Sequence, residues 1–415
     1  EWSVESLKQE LLAPEPVFYI LTNSRSLPLP AAQALNAEIG RNLVAASAQS
    51  GCDFAVVSRS DSTLRGHFPG EVTALADAIQ RSFDGVLIIP YFLEGGRFTI
   101  DDVHYVAEGD KLVPAAATPF AKDAAFGYRN SNLKAWVAEK SGGQVAAESV
   151  VSISLDDLRS GGPEQVAQKL LQLSNGTHAI VNCVTLRDMQ VFVSGLLRAE
   201  SQGKHFLYRT AASFVQMRAG LPTRPLLSAA QMNATSANGG LVVVGSYVPK
   251  TTGQLGALLA SPQVAAIEVN VSALLDDSTQ QGEISRASTL AEQLIRSGQD
   301  VVIYTSRTLI SSDNAERSLQ IGQRVSHSLV AIVNAIQTPP RYLIAKGGIT
   351  SSDLATKALG IRRAIVMGQI LPGVPVWQAG GESRHPGMPY IVFPGNVGGE
   401  SALLDVVNQL RRVAE

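Results

Sequence analysis

The amino-acid sequence predicts an α/β protein with two three-layer αβα domains, mostly parallel sheets and an active-site cleft between the domains. Three observations support this fold class. The chain has 415 residues, which is more than one hydrophobic core normally serves. Hydrophobic residues make up 45% of it and charged residues 17%, a composition typical of globular proteins with large buried sheets. Short apolar runs also alternate with helical patterns along almost the whole chain, which favours parallel strands joined by helices.

The elements follow from that alternation. The runs predicted as strands are Val17 to Leu21, Phe54 to Val57, Gly85 to Ile89, Ala179 to Asn182, Gly240 to Val244, Ala265 to Val269, Val301 to Tyr304, Tyr342 to Ala345 and Ile391 to Phe393. The stretches predicted as helices are Ala31 to Ser50, Gly70 to Arg81, Pro163 to Leu173, Ser285 to Ser297, Ala315 to Ile336, Ser352 to Leu359 and a last helix that ends at Val413.

A seam between the domains is predicted from Arg218 to Asn238, where proline, glycine and small polar residues are dense. It separates a domain of residues 1–220 from a domain of residues 238–415. The segment from Glu94 to Asn132 shows no clear period. We predict it to be a long loop, and loops of that length inside compact domains usually have a function.

The charge balance and the cysteine content exclude several classes of protein. Thirty-four basic residues against 36 acidic ones give a net charge of -2, so no global basic field attracts nucleic acid or a membrane surface. Cys52 and Cys183 are far apart, which argues against a disulfide framework and a zinc site. Apolar runs are only strand-sized and the N-terminus has no signal-peptide pattern, so we expect a cytoplasmic protein.

The densest cluster of chemically useful side chains lies in Ser58 to His67, which follows the predicted strand Phe54 to Val57. Two arginines, an aspartate and several hydroxyl residues meet there at the carboxyl end of a strand, where open α/β sheets bind ligands. Arginine suits carboxylates and phosphates, while the aspartate and the hydroxyls suit a sugar. A polar turn that only caps the next helix is an equally good interpretation from the residue types alone.

Two further segments of the first half carry weaker signals. Thr22 to Ser26 follows another predicted strand and includes Arg25; taken alone it is better interpreted as a capped loop. Gly95 to Thr99 precedes Asp101, Asp102 and His104, but their spacing matches no standard metal-ligand pattern, so no metal-binding residue is predicted. Asp101 and Asp102 are better interpreted as residues of a solvated loop.

Three glycine-containing segments follow predicted strands in the second half. Gly245 to Thr252 is not a P-loop, because Pro249 stands where a glycine should precede the lysine. Lys346 to Asp353 has paired glycines, and Thr350 with Asp353 has the spacing of a capping box. Pro394 to Glu400 repeats the strand-to-helix design, and two such loops in one domain favour a nucleotide site. We therefore predict that these two glycine-rich loops lie at the carboxyl ends of neighbouring strands.

Taken in order, these segments resemble the four-carbon acid sugar kinase family, which phosphorylates acids such as threonate and erythronate with ATP. The string Asp61 to Gly66 resembles the family's most distinctive signature, with Arg59 in place of the usual lysine. Thr22 to Arg25 resembles its strand-end arginine motif. The stretch from Gly96 to Asp123 resembles its long loop, and the loops of the second half resemble its ATP-contacting loops. The resemblance spans nearly the whole chain.

The resemblance implies a role for each matching residue. The sugar acid would contact Arg25, Arg59, Asp61, Ser62, Thr63, Leu64, Arg65 and Arg97. ATP would contact Ser246, Gly347, Gly348, Ile349, Thr350, Gly395 and Gly398. Asp61 is the candidate for accepting the proton of the sugar hydroxyl, or it orients the sugar. Mg²⁺ would travel with ATP, bound mainly by phosphates and waters.

The family also opens with a strand and an Asp-Asp-x-Thr-Gly loop, and no such string precedes Val17. We therefore expect the first strand to be absent, with an exposed apolar edge in the first sheet. The alternative function is a nucleotide or sugar-acid binding protein without catalysis. The predicted partners are a small sugar acid and ATP, and neither nucleic acid nor a membrane is expected to bind. The chain is expected to be a monomer or a homodimer.

Overall fold

The structure is a computed structural model that describes residues 1–232, 234–307 and 315–411. The chain forms two compact units, Glu1–Thr223 and Arg224–Glu415, and their division falls inside the segment that the sequence marks as a seam. Both units have an α/β architecture with mostly parallel sheets, so the predicted fold class is confirmed. The predicted end of the last helix, Val413, lies outside the described residues.

Unit 1 contains a parallel sheet of five strands in the order β1-β8-β2-β7-β6. Their bounds are Val57–Arg59 (β1), Gly85–Ile89 (β2), Val151–Ile153 (β6), Thr177–Val181 (β7) and Phe206–Thr210 (β8). Successive side chains of a strand point to opposite faces, and both faces are buried here. Leu87 and Ile89 therefore belong to one apolar core, whereas Val86 and Ile88 belong to the other.

The helices of unit 1 cover both faces of this sheet. They are Val4–Leu11 (α1), Leu29–Ser50 (α2), Gly70–Ile79 (α3), Leu133–Lys140 (α4), Leu155–Arg159 (α5), Gly162–Leu171 (α6), Leu186–Ser201 (α7) and Ala212–Arg218 (α8). Side chains of α5 to α8 pack into the core of Leu87, whereas α3 and α4 pack into the core of Val86. Asn132 begins α4 by accepting from two backbone amides, and Thr185 with Asp188 forms a capping box that begins α7.

The segment from Glu94 to Asn132 is not a long loop, so that prediction is wrong. It contains an antiparallel sheet of Arg97–Ile100 (β3), Val103–Glu108 (β4) and Lys111–Pro114 (β5). Asp101 and Asp102 both have positive φ and form the two-residue turn between β3 and β4. Such turns fit the twist of a hairpin, and the Asp-Asp pair between alternating residues is the signal that would have revealed it.

The segment Val17 to Leu21 also differs from its prediction, because it forms no strand. Phe18 and Ile20 pack against α1 and α2, while Tyr19 is 56% and Leu21 40% exposed. The strand predicted at Phe54 to Val57 begins only at Val57, and this short β1 lies at the edge of the sheet. Without a neighbouring strand to pair with, an apolar run keeps an extended backbone but makes no ladder.

Unit 2 contains a sheet of seven strands in the order β10-β11-β9-β12-β15-β14-β13. Their bounds are Leu241–Val244 (β9), Val264–Val269 (β10), Asp300–Thr305 (β11), Leu343–Lys346 (β12), Ala364–Leu371 (β13), Val374–Ala379 (β14) and Pro389–Phe393 (β15). The first five strands in the sheet order are parallel, and β13 and β14 continue it as an antiparallel hairpin. The hairpin was not predicted from the sequence.

The helices of unit 2 are Pro249–Leu259 (α9), Val271–Leu275 (α10), Gln280–Arg296 (α11), Ala315–Ala335 (α12), Gly348–Asp353 (α13) and Ala402–Arg411 (α14). A short π-helical turn, Leu354–Ala358, extends α13. The predicted capping box of Thr350 and Asp353 is wrong, because the helix begins at Gly348 and both residues lie inside it. Among the described residues, no helix combines the length and the apolar character needed to cross a membrane.

Candidate functional site

The first candidate site of unit 1 is the loop that follows β1. The amide of Ser60 donates to the carbonyl of Thr210, which extends the parallel ladder by one bond before the chain turns. Leu64 is fully buried at φ 69°, so its side chain anchors the loop from below. The polar residues on either side of Leu64 are thereby held at the carboxyl edge of the sheet, where parallel α/β folds bind ligands.

Asp61 is the centre of this loop. Arg65 Nε donates to Asp61 Oδ2 at 2.9 Å, and Arg25 Nη1 lies 3.7 Å from Asp61 Oδ1. Thr63 Oγ1 donates to the same carboxylate. Burial opposes ionisation of Asp61, but the charges of Arg65 and Arg25, with hydrogen bonds from Arg65 and Thr63, hold its pKa well below its usual range. The carboxylate is therefore a fixed negative charge that orients two arginines.

Arg65 and Arg97 face one aromatic ring. Arg65 lies 5.1 Å and Arg97 5.7 Å from the ring centre of Phe120, and Arg65 Nη1 also reaches Asp123 at 3.4 Å. Arg97 is buried in β3, where it donates to the carbonyl of Gly95. The structure therefore places two guanidinium groups of the predicted site around one ring, although their positions in the sequence are 32 residues apart.

Two buried side chains fix the backbone of the loop. His104 of β4 lies 2.8 Å from the carbonyl oxygen of Ser62 and 3.0 Å from Thr99 Oγ1. Tyr128 donates its hydroxyl to the carbonyl of Thr63 at 2.9 Å. Burial lowers the pKa of His104 to about 4, so the imidazole is neutral and donates Nε2–H to Ser62. His104 supports the loop and is neither a metal ligand nor a solvated residue in this structure.

The remaining predicted residues of unit 1 are more open. Arg59 ends β1 and is exposed, and the side chain of Arg25, in a short 3₁₀ turn of Ser24–Ser26, is 37% exposed.

Asp102 accepts hydrogen bonds from Ser152 and Asn182 at 2.6 and 2.8 Å, so it ties the hairpin turn to the sheet. The solvated-loop interpretation of Asp102 is therefore wrong.

Arg209 was missed by the sequence analysis. It is the fourth residue of β8, a strand that was not predicted, and it pairs with Ser58 of β1 and Ile88 of β2. It is 1% exposed and lies 4.9 Å from the ring centre of Trp136. The signal was present in the run Phe206 to Thr210, whose aromatic and β-branched residues favour a strand that carries an arginine near its carboxyl end.

The second candidate site lies in unit 2, at the carboxyl edge of three adjacent parallel strands. β12 pairs with β9 on one side and with β15 on the other. The loops after them are Gly245 with Ser246, Gly347 to Thr350, and Pro394 to Gly398. The prediction that the two glycine-rich loops sit on neighbouring strands is therefore confirmed by the pairing of β12 with β15.

These loops are packed so closely that a side chain on either glycine would crowd Ser246. A Cβ atom on Gly347 would lie 3.0 Å from Cβ of Ser246, and one on Gly395 would lie 3.0 Å from Oγ of Ser246. Gly347 also has φ 121°, a conformation that favours glycine. Such bare backbone is what close approach of a phosphate requires.

Helix α9 holds the last of these loops. Thr251 Oγ1 donates to the carbonyl of Gly395 at 3.1 Å. Gln254 is fully buried, and its Nε2 donates to the carbonyls of Val397 and Gly399 at 3.0 and 2.8 Å. The positive-φ conformation of Gly398 is thus enclosed by hydrogen bonds from a neighbouring helix.

Two cationic side chains border the loops. Lys346 is fully buried, donates to the carbonyl of Pro394 at 2.6 Å and lies 4.0 Å from the ring centre of Phe393. Burial, with the nearby charge of Lys250, lowers the pKa of Lys346 to about 7. Arg307 donates from Nη2 to the carbonyl of Ser246 at 2.9 Å, while its Nε and Nη1 have no hydrogen-bond partner among the described residues.

A metal cage is not evident in the part of the chain that the structure describes. No group of three or more histidine, cysteine, aspartate or glutamate side chains comes together there in a way that could hold an ion. A cation that arrives on nucleotide phosphates would need few protein ligands.

Comparison with known proteins matches each of the two units to a known domain family. Residues 3–218 match the sugar-binding N-terminal domain, and residues 241–403 match the nucleotide-binding C-terminal domain. A curated relative, D-threonate kinase of Salmonella typhimurium LT2, is 25% identical over 405 residues, which cover 94% of this chain and 88% of that protein.

The chain belongs to the four-carbon acid sugar kinase family.

Solved structures share the fold of this acid sugar kinase family member. One is a Salmonella typhimurium LT2 protein provisionally described as a tRNA synthase, with a TM-score of 0.65 and 18% identity, covering 100% of this chain and 96% of the other. Another, from Haemophilus influenzae, has a TM-score of 0.58 and 16% identity, covering 98% and 97%. At these identities the likeness shows the fold alone. The loop of Asp61 falls within the part matched as sugar-binding, and the three glycine loops fall within the part matched as nucleotide-binding.

Proposed function

We propose that this protein transfers the γ-phosphoryl group of ATP to a hydroxyl of a four-carbon sugar acid such as threonate or erythronate. The observation that carries the proposal is the cationic cluster of unit 1, in which Arg25 and Arg65 share one buried carboxylate, Asp61. Guanidinium forks held in place in this way suit a carboxylate or a phosphoryl group. The D-threonate kinase relative supports the substrate class.

The glycine loops of unit 2 supply the nucleotide half of the proposal. The bare backbone of Gly347, Gly348 and Gly395 would approach the phosphates of ATP, and Ser246, Ile349, Thr350 and Gly398 border the same edge. We propose that Arg307 and Lys346 add positive charge there, since phosphoryl transfer depends mainly on positioning and charge stabilisation. Mg²⁺ would neutralise the phosphates and would be bound by them and by water.

Each predicted sugar-acid residue has a role in this proposal. Arg25, Arg59 and Arg65 would neutralise the anionic groups of the substrate and the transferred phosphoryl group, and Ser62 would meet the hydroxyls of the substrate. The hydroxyl of Thr63, which is buried, would hold Asp61 and Arg65 in place. Leu64 anchors the loop that follows β1, and Arg97 supports that loop by its contact with the ring of Phe120, on which Arg65 also lies. The low pKa of Asp61 favours the second of its two predicted roles, because a carboxylate that is paired with two arginines is a weak base. We infer that Asp61 orients the arginines and the sugar.

The experiment that tests this function is a screen of four-carbon acids with ATP and Mg²⁺, with ADP formation as the readout. We expect ADP formation that depends on one threonate or erythronate isomer and that is absent without acid. A double variant, Arg25→Ala with Arg65→Ala, should abolish it while nucleotide binding remains. Turnover of neutral four-carbon polyols at the same rate as the acids would refute the proposal.

A second candidate function is a nucleotide or sugar-acid binding protein without catalysis. The specific observation in its favour is the ion-paired state of Asp61, the predicted proton acceptor. In the same screen this alternative predicts that calorimetry detects binding of ATP and of an acid, while no ADP forms with any acid.

A further inference from the structure

Arg209 occupies the middle of the sheet edge at which the Asp61 loop lies. Strand β8 runs between β1 and β2, and Arg209 is in register with Ser58 and Ile88. Its neighbour two residues back, Leu207, belongs to the core that also contains Leu64, so Arg209 lies on the face of the sheet that the loop covers. The arginine is thus part of the framework of the site and not of its rim.

The guanidinium of Arg209 has no hydrogen-bond partner among the residues that the structure describes. Its Nε, Nη1 and Nη2 are all buried, and none of them bonds to an acceptor among the described residues. Two other buried arginines each have at least one such partner, although their Nε atoms have none: Arg341 donates to Asp300 at 2.8 Å, and Arg97 donates to backbone carbonyls. Because buried donors are nearly always paired, three orphaned nitrogens on one side chain indicate that an acceptor from outside the chain completes this group.

The indole ring of Trp136 lies against the guanidinium of Arg209. The Trp136 ring lies 4.9 Å from the guanidinium carbon, and Phe68 stacks on Trp136 with ring centres 4.8 Å apart. A guanidinium with an aromatic ring on one face keeps its N–H groups in its own plane, where they form a fork. A planar carboxylate matches that fork with two parallel hydrogen bonds.

The charges around Arg209 keep it a cation. Burial lowers the pKa of Arg209 to about 10, while the charges of Asp61 and Glu71 act in the opposite direction. The carboxylate of Asp61 is already bonded to Arg65 and Thr63, and Glu71 accepts a hydrogen bond from Asn36 at 3.3 Å. The site therefore holds a positive charge at neutral pH that the neighbouring carboxylates do not neutralise by direct contact.

We propose that Arg209 binds the carboxylate of the sugar acid through its guanidinium fork and thereby selects acids over neutral sugars. The inference rests on the proposed function, and it names the residue that recognises the acid group. Arg209 would make the direct contact with the carboxylate, while Arg25 and Arg65, which are more open, would add positive charge around the substrate and meet the transferred phosphoryl group. A carboxylate is favoured over a nucleotide phosphate because Arg209 lies in the part of the chain that matches a sugar-binding domain.

The test compares binding of a four-carbon acid with binding of its amide, which keeps every hydroxyl and lacks the charge. Calorimetry without nucleotide measures both, so turnover is not required. We expect the wild-type protein to bind the acid that it uses at least tenfold more tightly than the amide. Arg209→Met should weaken acid binding at least tenfold and bind acid and amide alike, and Arg209→Lys should be intermediate. Binding of ATP with Mg²⁺ should stay unchanged in both variants.

A structural role for Arg209 predicts a different pattern, and urea unfolding detects it. Since the described part of the chain offers no hydrogen-bond acceptor to Arg209, Arg209→Met should unfold at the same urea concentration as the wild type or at a higher one. The acid should raise the wild-type midpoint and not that of Arg209→Met. Arg198→Met is the matched control, because Arg198 lies on the exposed side of α7 and its ion pair is with Glu164, which belongs to no proposed site. It should keep the preference for the acid.

The possible failures are distinguishable. If the wild-type protein binds no four-carbon acid, the proposed function fails and this inference fails with it. If it binds an acid and Arg209→Met keeps the preference over the amide, only this inference fails. A marked fall in the urea midpoint of Arg209→Met together with loss of ATP binding would also overturn it, as evidence of a structural role. Inorganic phosphate that binds the wild type but not Arg209→Met, while acid binding persists, would overturn it in favour of a phosphate subsite.

Discussion

At the residue scale, the two partners of Arg65 explain why its substitution should affect one substrate only. Arg65 bonds to Asp61 at 2.9 Å and reaches Asp123 at 3.4 Å, both within unit 1. Its side chain is still 17% exposed, so part of the guanidinium can meet a ligand. The glycine loops that we propose to bind ATP belong to unit 2 and share no residue with this cluster.

We therefore expect Arg65→Ala to raise the KM for the sugar acid about tenfold or more and to change the KM for ATP little. A charge-assisted contact is worth roughly 1.5–3 kcal/mol, which corresponds to that factor. Steady-state kinetics with each substrate varied in turn measures both constants. Arg81→Ala, which removes an ion pair with the exposed Asp53, is the control and should change neither KM. Equal effects of Arg65→Ala on both constants would mean that Arg65 is structural.

His104 leads to a prediction about pH. Burial lowers its pKa to about 4 from 6.5, so between these values the unfolded chain binds a proton that the folded chain does not. Stability must therefore fall as the pH is lowered through this window, by up to about 3 kcal/mol from this residue. Urea unfolding of His104→Gln, which cannot titrate, should show a smaller decrease between pH 7 and pH 4.5 than the wild type. An identical pH dependence in the two proteins would show that His104 is not buried as a neutral ring.

At the scale of elements, α9 acts as the support of the last glycine loop. Gln254 bonds to two carbonyls of that loop, and Thr251 bonds to a third. These contacts join residues that are more than 140 positions apart in the chain. The loop near the end of unit 2 is therefore held by a helix near its beginning. Loss of the support should loosen the loop without unfolding the sheet.

Gln254→Leu keeps the volume of the side chain and removes both hydrogen bonds. Each bond to a buried carbonyl is worth about 1 kcal/mol, so loss of both should raise the Kd for ATP by up to about thirtyfold. Binding of the sugar acid to unit 1 should stay unchanged. Gln293→Leu on the exposed side of α11 is the matched control and should bind ATP as the wild type does. Weaker acid binding with unchanged ATP binding would contradict the assignment of the loop to the nucleotide.

At the scale of the whole molecule, each unit should respond to its own ligand. Ligand binding slows amide hydrogen exchange in the segments that it orders. ATP with Mg²⁺ should protect residues 345–350 and 395–399, and the sugar acid should protect residues 58–66. Exchange followed by mass spectrometry separates these peptides. In Arg65→Ala the protection by the acid should be reduced and that by ATP retained. Protection of 395–399 by the acid alone, with no effect on 58–66, would refute this division of roles.

The local pattern of the sequence determined much of the architecture. Apolar runs such as Gly85–Ile89 match observed strands closely, because a strand that is buried on both faces must be apolar throughout. The paired glycines at Gly347 and the string Asp61 to Gly66 were also identified, since close backbone approach and fixed charges require particular residue types. These features depend on neighbours in the chain, which a sequence displays directly.

The tertiary structure decided what depends on distant neighbours. Val17 to Leu21 has the composition of a strand, yet it forms none, because a strand needs a partner across the ladder. Asp61 was predicted as a possible base, and only its contacts with Arg25 and Arg65 show why its pKa is low. The orphaned nitrogens of Arg209 are equally invisible in the sequence, since whether a buried cation has an acceptor depends on side chains that folding brings together.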